Sequence, residues 1–365
     1  SIRRQRQMCI RDIYYGVDIM HPAYFLLASV VLCGIVSLAT GSSWSTIATI
    51  GVAIIGIGNA FHFPAGLVAG AVISGAYFGD KMSPLSDTTN LAPAVAGTDV
   101  FTHIRYLVYT TGPTFLLTLL IFGIIGIFYV NNASEINTGF IKQGIAATFN
   151  TNLGLLFVPV LLIFLIIKKV PPIPVLLAGT VLGILFACIF QSDLLNQLLA
   201  TQHFQNKYQL LMQSVFGGMN LETGLTEVDK LLSTGGMEGM LNTVFLILTA
   251  LTFGGVMDAC GFLKKVTETF LKFIVNQTSL VGSTLLTCIF FNITACDQYL
   301  AIVIPGKMLQ KLYQEKGLKP EVLSRALEDS ATVTSVLVPW NSCGATQAKV
   351  LGVATLDYLP YCFLT

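Results

Sequence analysis

Residues Gly79–Pro93 read Gly-Asp-Lys-Met-Ser-Pro-Leu-Ser-Asp-Thr-Thr-Asn-Leu-Ala-Pro, and they interrupt an otherwise strongly apolar chain. The run follows Leu67–Phe78, which looks like half of a spanning helix. A charge at that depth costs roughly 2.5–3.5 kcal/mol on insertion scales, so Asp80, Lys81 and Asp87 need a function or a partner. The chain can only be helical there, because backbone groups in lipid must be satisfied within the segment. Pro84 breaks that helix, and the break is lined with oxygens from Ser83, Ser86, Asp87, Thr88, Thr89 and Asn90.

Composition fixes the environment. Of 365 residues, 54% are hydrophobic and 11% charged, against about 25% charged in soluble domains. Mean hydropathy is +0.74. This predicts an all-α polytopic membrane protein. The net charge of +1 offers nothing to nucleic acid. The eight cysteines show no CxxC pairing and read as small apolar core residues. His21, His62, His103 and His203 fall in or near predicted loops, and an HExxH motif is absent. A membrane serine hydrolase at Gly41-Ser42-Ser43 would need a base within the bilayer, and no histidine is expected in a span.

Apolar stretches of spanning length lie near 24–40, 45–60, 65–79, 106–130, 151–167, 173–190, 242–257, 280–295, 298–312, 322–338 and 345–365. The polar segment 191–241 reads as an extramembrane linker, and 262–275 as an amphipathic interfacial stretch. Four units follow: 1–12 as a non-native or incomplete N-terminus, 13–190 as the first repeat with scaffold helices, 191–241 as linker, and 242–365 as the second repeat with an incomplete last helix. The chain is expected to be truncated at both ends.

The halves repeat at one ungapped offset of 255. Leu38–Trp44 then overlays Ile293–Tyr299, and Ser83–Thr89 overlays Val338–Gly344. Each half has two apolar arms around a polar tip, then a helix broken at Pro84 or Pro339. If each pair of arms is a re-entrant hairpin, five crossings separate the hairpins. An odd number inverts the second repeat, a common transporter design. Arg105, Lys168, Lys169, Lys264, Lys265, Lys272, Lys311, Lys316 and Lys319 fall on one face, against Lys142, Lys207 and Lys230 on the other. The positive-inside rule makes the first face cytoplasmic. Arg3, Arg4, Arg6 and Arg11 fall on the opposite face, which is why Ser1–Asp12 is set apart.

The first break suits a desolvated cation, which wants about six oxygen ligands from carboxylate, hydroxyl, amide and carbonyl groups. The same residues would also serve as an ordinary helix cap at Ser86 or Asp87. The second break, with Asn341 and Ser342, lacks an acid. The tips divide oppositely: the first has Ser42 and Ser43, the second has Asp297. Asp87 and Asp297 are therefore the acids at comparable interruptions. Arg325, Glu328 and Asp329 are spaced i, i+3, i+4, which puts both acids within reach of the arginine on one face. They and the Asp80–Lys81 pair read either as internal ion pairs or as proton-exchanging groups.

GDKMSPLSDTTNLAP (79–93), TGSSW (40–44), FGGVMDACG (253–261), DQYLAIVIPGKM (297–308) and LSRALEDSATVTSVLVPWNSCGA (323–345) resemble the NhaC-type Na+/H+ antiporter family. Na+- and H+-coupled malate/lactate antiporters belong to the same group. The resemblance runs from about Tyr14 to the end. It implies the ion transporter architecture: two inverted repeats, each with a re-entrant hairpin and a broken helix. It implies secondary exchange of Na+ for H+ in a bacterial-type cytoplasmic membrane, with organic-acid exchange as the alternative. The implied site is Asp87 as principal Na+ ligand, Asp297 as second carboxylate, and Ser42, Ser43, Ser86, Thr88, Thr89, Asn90, Asn341 and Ser342 as neutral ligands. Asp80, Lys81, Arg325, Glu328 and Asp329 are supporting charges. No cofactor is expected. The partners are Na+, H+, lipid and, in the alternative, small organic acids, with room for a homodimer.

Overall fold

The computed structural model describes residues 21–132, 172–192, 206–217, 237–262 and 276–365, with isolated positions between 157 and 199 and between 265 and 274. The expectations for 1–12, for most of 151–167, for the middle of the linker and for much of 262–275 fall outside the described residues.

Every described secondary-structure element is helical. In chain order they are α1 (Pro22–Thr40), α2 (Ser43–Ala60, with a π-turn at Ile47–Gly51), α3 (Ala65–Met82), α4 (Asp87–Ala96) and α5 (Val100–Asn132). Then come α6 (Pro172–Phe190), α7 (Lys207–Phe216), α8 (Leu241–Ala259), α9 (Gln277–Thr294) and α10 (Gln298–Glu315). α11 starts as Pro320–Leu327 and continues through a π-turn (Glu328–Thr332) into Val333–Ser335, followed by α12 (Ser342–Leu351). Thr355–Tyr358 and Leu359–Tyr361 are single turns.

The boundaries follow from capping chemistry. Ser42, Ser86, Asn276, Asp297 and Asn341 each accept a backbone N–H at a helix start. Gly41, Gly97 and Gly352 close α1, α4 and α12 in the left-handed conformation. The last apolar stretch, 345–365, is not one span: Gly352 turns the chain at φ 71° and α12 stops after ten residues. Within 191–241, α7 buries Leu210 completely in the core beside α1–α3.

α1, α2 and α5 are long and apolar enough to cross a membrane. α5 exposes Phe101, Tyr109, Leu116, Leu120, Ile124 and Phe128, and α8 exposes Phe245, Leu248 and Phe253. Large apolar side chains on outward faces are what lipid accepts and water does not. With the family membership established below, the chain is a multi-pass membrane protein.

The 255 offset holds element by element. It carries Pro22 to Gln277, Ser43 to Gln298, Ala65 to Pro320 and Asp87 to Ser342, which are the first residues of α9, α10, α11 and α12. It carries Gly41, His62 and Gly97 to Cys296, Gly317 and Gly352, and all six have positive φ. The fourth helices are exchanged between the two cores. α4 adds Ala92 and Ala96 to the core of α9–α11, while α12 adds Val350 and Leu351 to the core of α1–α3. The two repeats are therefore interlocked rather than side by side.

α1 and α3 meet backbone to backbone. A Cβ on Gly75 would lie 2.3 Å from Val30 O, and one on Gly79 would lie 2.3 Å from Gly34 O. This is small-residue packing at four-residue spacing, which brings membrane helices close enough for backbone contact. Ser37 Oγ donates to Ala76 O across the seam at 2.6 Å.

Candidate functional site

The tips rest on the breaks. At the first tip, Gly41 has no room for a side chain, since a Cβ would come within 2.6 Å of Leu85. Ser83 Oγ donates to Leu38 O at 2.8 Å. Ser43, at the start of α2, donates from both N–H (3.0 Å) and Oγ (2.6 Å) to Asp80 Oδ2. Asp80 thus anchors the N-terminus of α2, where the helix dipole favours a negative charge. Ser42 accepts from Ser45 N–H at 3.2 Å and is the cap of that helix. At the second tip, Ser342 N–H donates to Cys296 O at 3.0 Å, and Asn341 Nδ2 donates to Asn292 O at 3.0 Å. Ser342 Oγ leans on Asn341 Oδ1 at 3.5 Å.

Tyr299 joins the first break to the second tip. Its N–H and that of Leu300 donate to Asp297 Oδ1 at 2.9 and 3.1 Å, and its hydroxyl donates to Asp87 Oδ2 at 2.5 Å. Asp87 is exposed and Asp297 half-buried. Asp87 and Asp297 are therefore linked by a residue that the sequence reading did not select. Its repeat mate is Trp44, and the recurrence of an aromatic residue just past each tip was the available signal.

The most enclosed charges lie beneath. Asp80 and Lys81 are each 6% exposed and Glu328 is 0% exposed. Lys81 leaves its sequence neighbour and pairs with Asp329 of the other repeat. Arg325 reaches Asp329 at 3.8 Å and lies 4.8 Å from the centre of the Tyr106 ring. The expectation that Arg325 would hold both acids is corrected: among the described contacts it holds Asp329 alone. Glu328, where a π-turn begins, makes no described contact with Arg325. Glu328 Oε1 instead accepts from Thr88 Oγ1 at 3.1 Å.

The remaining break residues fix this corner. Ser86 Oγ accepts from Thr89 N–H at 3.5 Å and lies 3.2 Å from Thr88 Oγ1. Thr89 Oγ1 donates to Lys81 O at 3.1 Å, tying the end of α3 to α4. Asn90 Nδ2 donates to Pro84 O at 2.9 Å and stabilises the turn rather than facing the acids. Asp80 Oδ1 and Glu328 Oε2 are buried and find no hydrogen-bond partner among the described residues. Asp80 and Lys81 are the neighbouring charges that act on Glu328.

A second correction concerns His103. It lies inside α5, which begins at Val100, and it is 0% exposed. Its Nδ1 is 2.8 Å from Ser324 Oγ. This base–hydroxyl pair was not foreseen, but Ser324 is also 0% exposed, so nothing reaches the pair from solvent in this conformation. Among the described residues no group of three His, Cys, Asp or Glu side chains is placed to hold a metal ion. Cys33, Cys288, Cys296, Cys343 and Cys362 are free and buried, while Cys188 and Cys260 are free and exposed.

Two carboxylates joined through Tyr299 and a buried cluster of acids and bases thus meet at the junction of two interlocked repeats. The Na+/H+ antiporter family matches residues 75–365. The chain is 36% identical to the malate-2H+/Na+-lactate antiporter of Bacillus subtilis, over 97% of this chain and 73% of that protein. It is 36% identical to the Na+/H+ antiporter NhaC of Alkalihalophilus pseudofirmus, over 96% and 73%. A 35% identical relative is the arginine/ornithine antiporter ArcD of Halobacterium salinarum, matched over 96% and 70%. The chain belongs to the Na+/H+ antiporter family.

Proposed function

We propose that the chain exchanges Na+ for H+ across a bacterial-type cytoplasmic membrane, with the two ions competing for membrane-embedded carboxylates. The observation that carries this reading is the hydrogen-bonded link Asp87–Tyr299–Asp297 between the repeats, with the acids Asp80 and Glu328 buried nearby and Glu328 bonded to Thr88 next to Asp87. Asp87 is the principal cation ligand. Asp297 commits Oδ1 to its helix cap, which leaves Oδ2 to face a cation as the second carboxylate. Ser42, Ser43, Ser86, Thr88, Thr89, Asn90, Asn341 and Ser342 supply or orient neutral oxygens. A carrier that crosses loaded with either ion, but not empty, couples the two fluxes by competition alone.

In this reading the repeats are inverted and the α1–α2 and α9–α10 pairs are re-entrant. The first tip supports this, since Ser43 is 1% exposed and tied to Asp80 rather than presented to a far surface. The lysine and arginine bias sets the start of α5, with Arg105, on the cytoplasmic side in this reading. The segment 191–241 joins the halves outside the bilayer, and a homodimer suits the outward apolar faces.

The test is a proteoliposome loaded with a pH-sensitive dye. A Na+ pulse outside should alkalinise the lumen if Na+ entry drives H+ exit, and Asp87→Asn should abolish the signal. Undiminished exchange by that variant removes Asp87 from the role. The alternative is Na+- and H+-coupled exchange of a small organic acid, supported by the malate/lactate relative. Labelled malate or lactate uptake separates the two.

A further inference from the structure

We infer that the base of the α9–α10 hairpin docks on the headgroups of anionic phospholipids through Lys307, Lys311, Lys316 and Lys319. This rests on the re-entrant reading, which puts the tip of that hairpin at mid-membrane and its base at the cytoplasmic surface.

The face is bare and basic. α10 buries Ile302, Leu309 and Tyr313 in the second core. Lys307, Lys311 and Gln314 fall on the opposite side at i, i+4, i+7 spacing, and all three are exposed. Nearer the tip, the same side carries Leu300, Val303 and Ile304, which are half-buried. The stripe thus passes from apolar to basic as the helix leaves its tip. The turn into α11 adds Lys316 and Lys319, both exposed. Its backbone is fixed: Gly317 has φ 71°, Leu318 N–H donates to Tyr313 O at 2.9 Å, and Gln277 Nε2 donates to Lys316 O at 3.0 Å.

The charge here is unbalanced. Glu315 and Glu321 are the neighbouring acids, against four lysines. Among the described residues, none of these six makes an ion pair. A second copy of the chain would bring the same positive charge to this face, whereas an anionic headgroup brings the opposite one.

Depth agrees with charge. At a rise of 1.5 Å per residue, Lys307 lies about 14 Å and Lys311 about 20 Å beyond Gln298. Half of the hydrocarbon layer is about 15 Å thick. From a tip at mid-membrane, Lys307 meets the edge of the hydrocarbon and Lys311 stands among headgroups. A lysine stem lies along apolar surface while its ammonium reaches a phosphate. The stretch 262–275, whose sequence reads as interfacial, enters α9 at this same end.

The first repeat lacks the device. The 255 offset puts Val52, Gly56, Phe61 and Pro64 at the positions of the four lysines. Val52 and Phe61 are only 4% and 1% exposed, and Gly56 is buried. Protein covers in the first repeat what is left to lipid in the second. Since Asp297 caps α10, headgroups would hold the base of the element that presents it.

The experiment titrates the full chain, in neutral detergent, with phosphatidylglycerol, phosphatidylcholine or inorganic phosphate. Bound lipid is counted by native mass spectrometry, and thermal unfolding is followed in parallel. Wild type should bind phosphatidylglycerol, unfold at a higher temperature with it, and respond to neither other probe. Lys307→Gln, Lys311→Gln, Lys316→Gln and Lys319→Gln should each weaken binding about fivefold, and the four together should abolish the preference. Lys207→Gln, exposed on α7, should bind as wild type does. Equal binding of both lipids by wild type overturns the inference. So does undiminished phosphatidylglycerol binding in the fourfold variant, or an equal loss in Lys207→Gln. Equal protection by inorganic phosphate also overturns it, since the face would then take a free anion. If the fourfold variant does not fold, Lys307→Gln with Lys311→Gln is judged by the same outcomes. The re-entrant reading has its own test. With Cys188 and Cys260 replaced by Ser, Lys316→Cys should react with an impermeant maleimide from the cytoplasmic side alone. Reaction from the other side removes that orientation and leaves the lipid result standing.

Discussion

The two repeats share a backbone and differ in chemistry, and the difference is concentrated at matched positions. Ser37 donates to Ala76 O in the first repeat, and at the matched positions Asn292 donates to Ala331 O, at 2.6 and 2.7 Å. The first repeat closes this seam on bare glycine backbone, while the second fills it with the branching amide of Asn292, which also reaches Thr334. Asp80 grips Ser43, and its mate Ser335 lies 3.4 Å from Gln298, the mate of Ser43. One corner is thus ionic and the other neutral. Helix ends and turns tolerate no such freedom, because a cap or a positive φ is a requirement of the chain path, whereas a side chain in a cavity is a choice about contents.

The largest test of this contrast is steric. Gly79→Leu drives a side chain into Gly34 O, where backbone cannot give way, and should cost about 3 kcal/mol or more or prevent folding. Thr334→Ala, at the matched position, should cost only about 1 kcal/mol in thermal unfolding in detergent. Comparable losses would erase the claim that the two seams are built differently. Next comes the ion pair that links the repeats. Lys81→Met leaves Asp329 with Arg325 alone and should cost about 2–3 kcal/mol, and adding Asp329→Leu should recover part of it. Asn292→Ala should cost about 2 kcal/mol against about 1 for Ser37→Ala, since the amide also bonds Thr334 and Asn341. The smallest effect belongs to the Asp87–Tyr299–Asp297 link. Tyr299→Phe removes one hydroxyl from Asp87 and should raise the KM for Na+ about fivefold with kcat unchanged.

The helices were legible because polar interruptions in an apolar chain are rare and recur at one spacing. Spans such as 65–79 and 280–295 fall within a few residues of α3 and α9. The stretch 345–365 misled because hydropathy does not register that Gly352 ends a helix. The site was only partly legible. Side chains on the breaks and tips were visible, and Tyr299 links Asp87 to Asp297. The partnership of Lys81 with Asp329, 248 residues apart, depends on how α3 crosses α11, and no local spacing encodes it. The π-turn at Glu328–Thr332 was equally silent. His103 was set aside because α5 starts six residues before its apolar run.

The contact of α1 with α3 has a mechanical consequence. Where side chains interleave, two helices can trade rotamers and slide by a notch. Where the carbonyls of Val30 and Gly34 sit against bare Cα atoms, there is no compliant layer to reshuffle, and any slip meets a hard wall within a fraction of an ångström. The first tip, hung from the end of α1 and pinned to Asp80 at the end of α3, is therefore part of a single stiff lever. Whatever displacement this protein undergoes in service, that tip and the acid beneath it travel together.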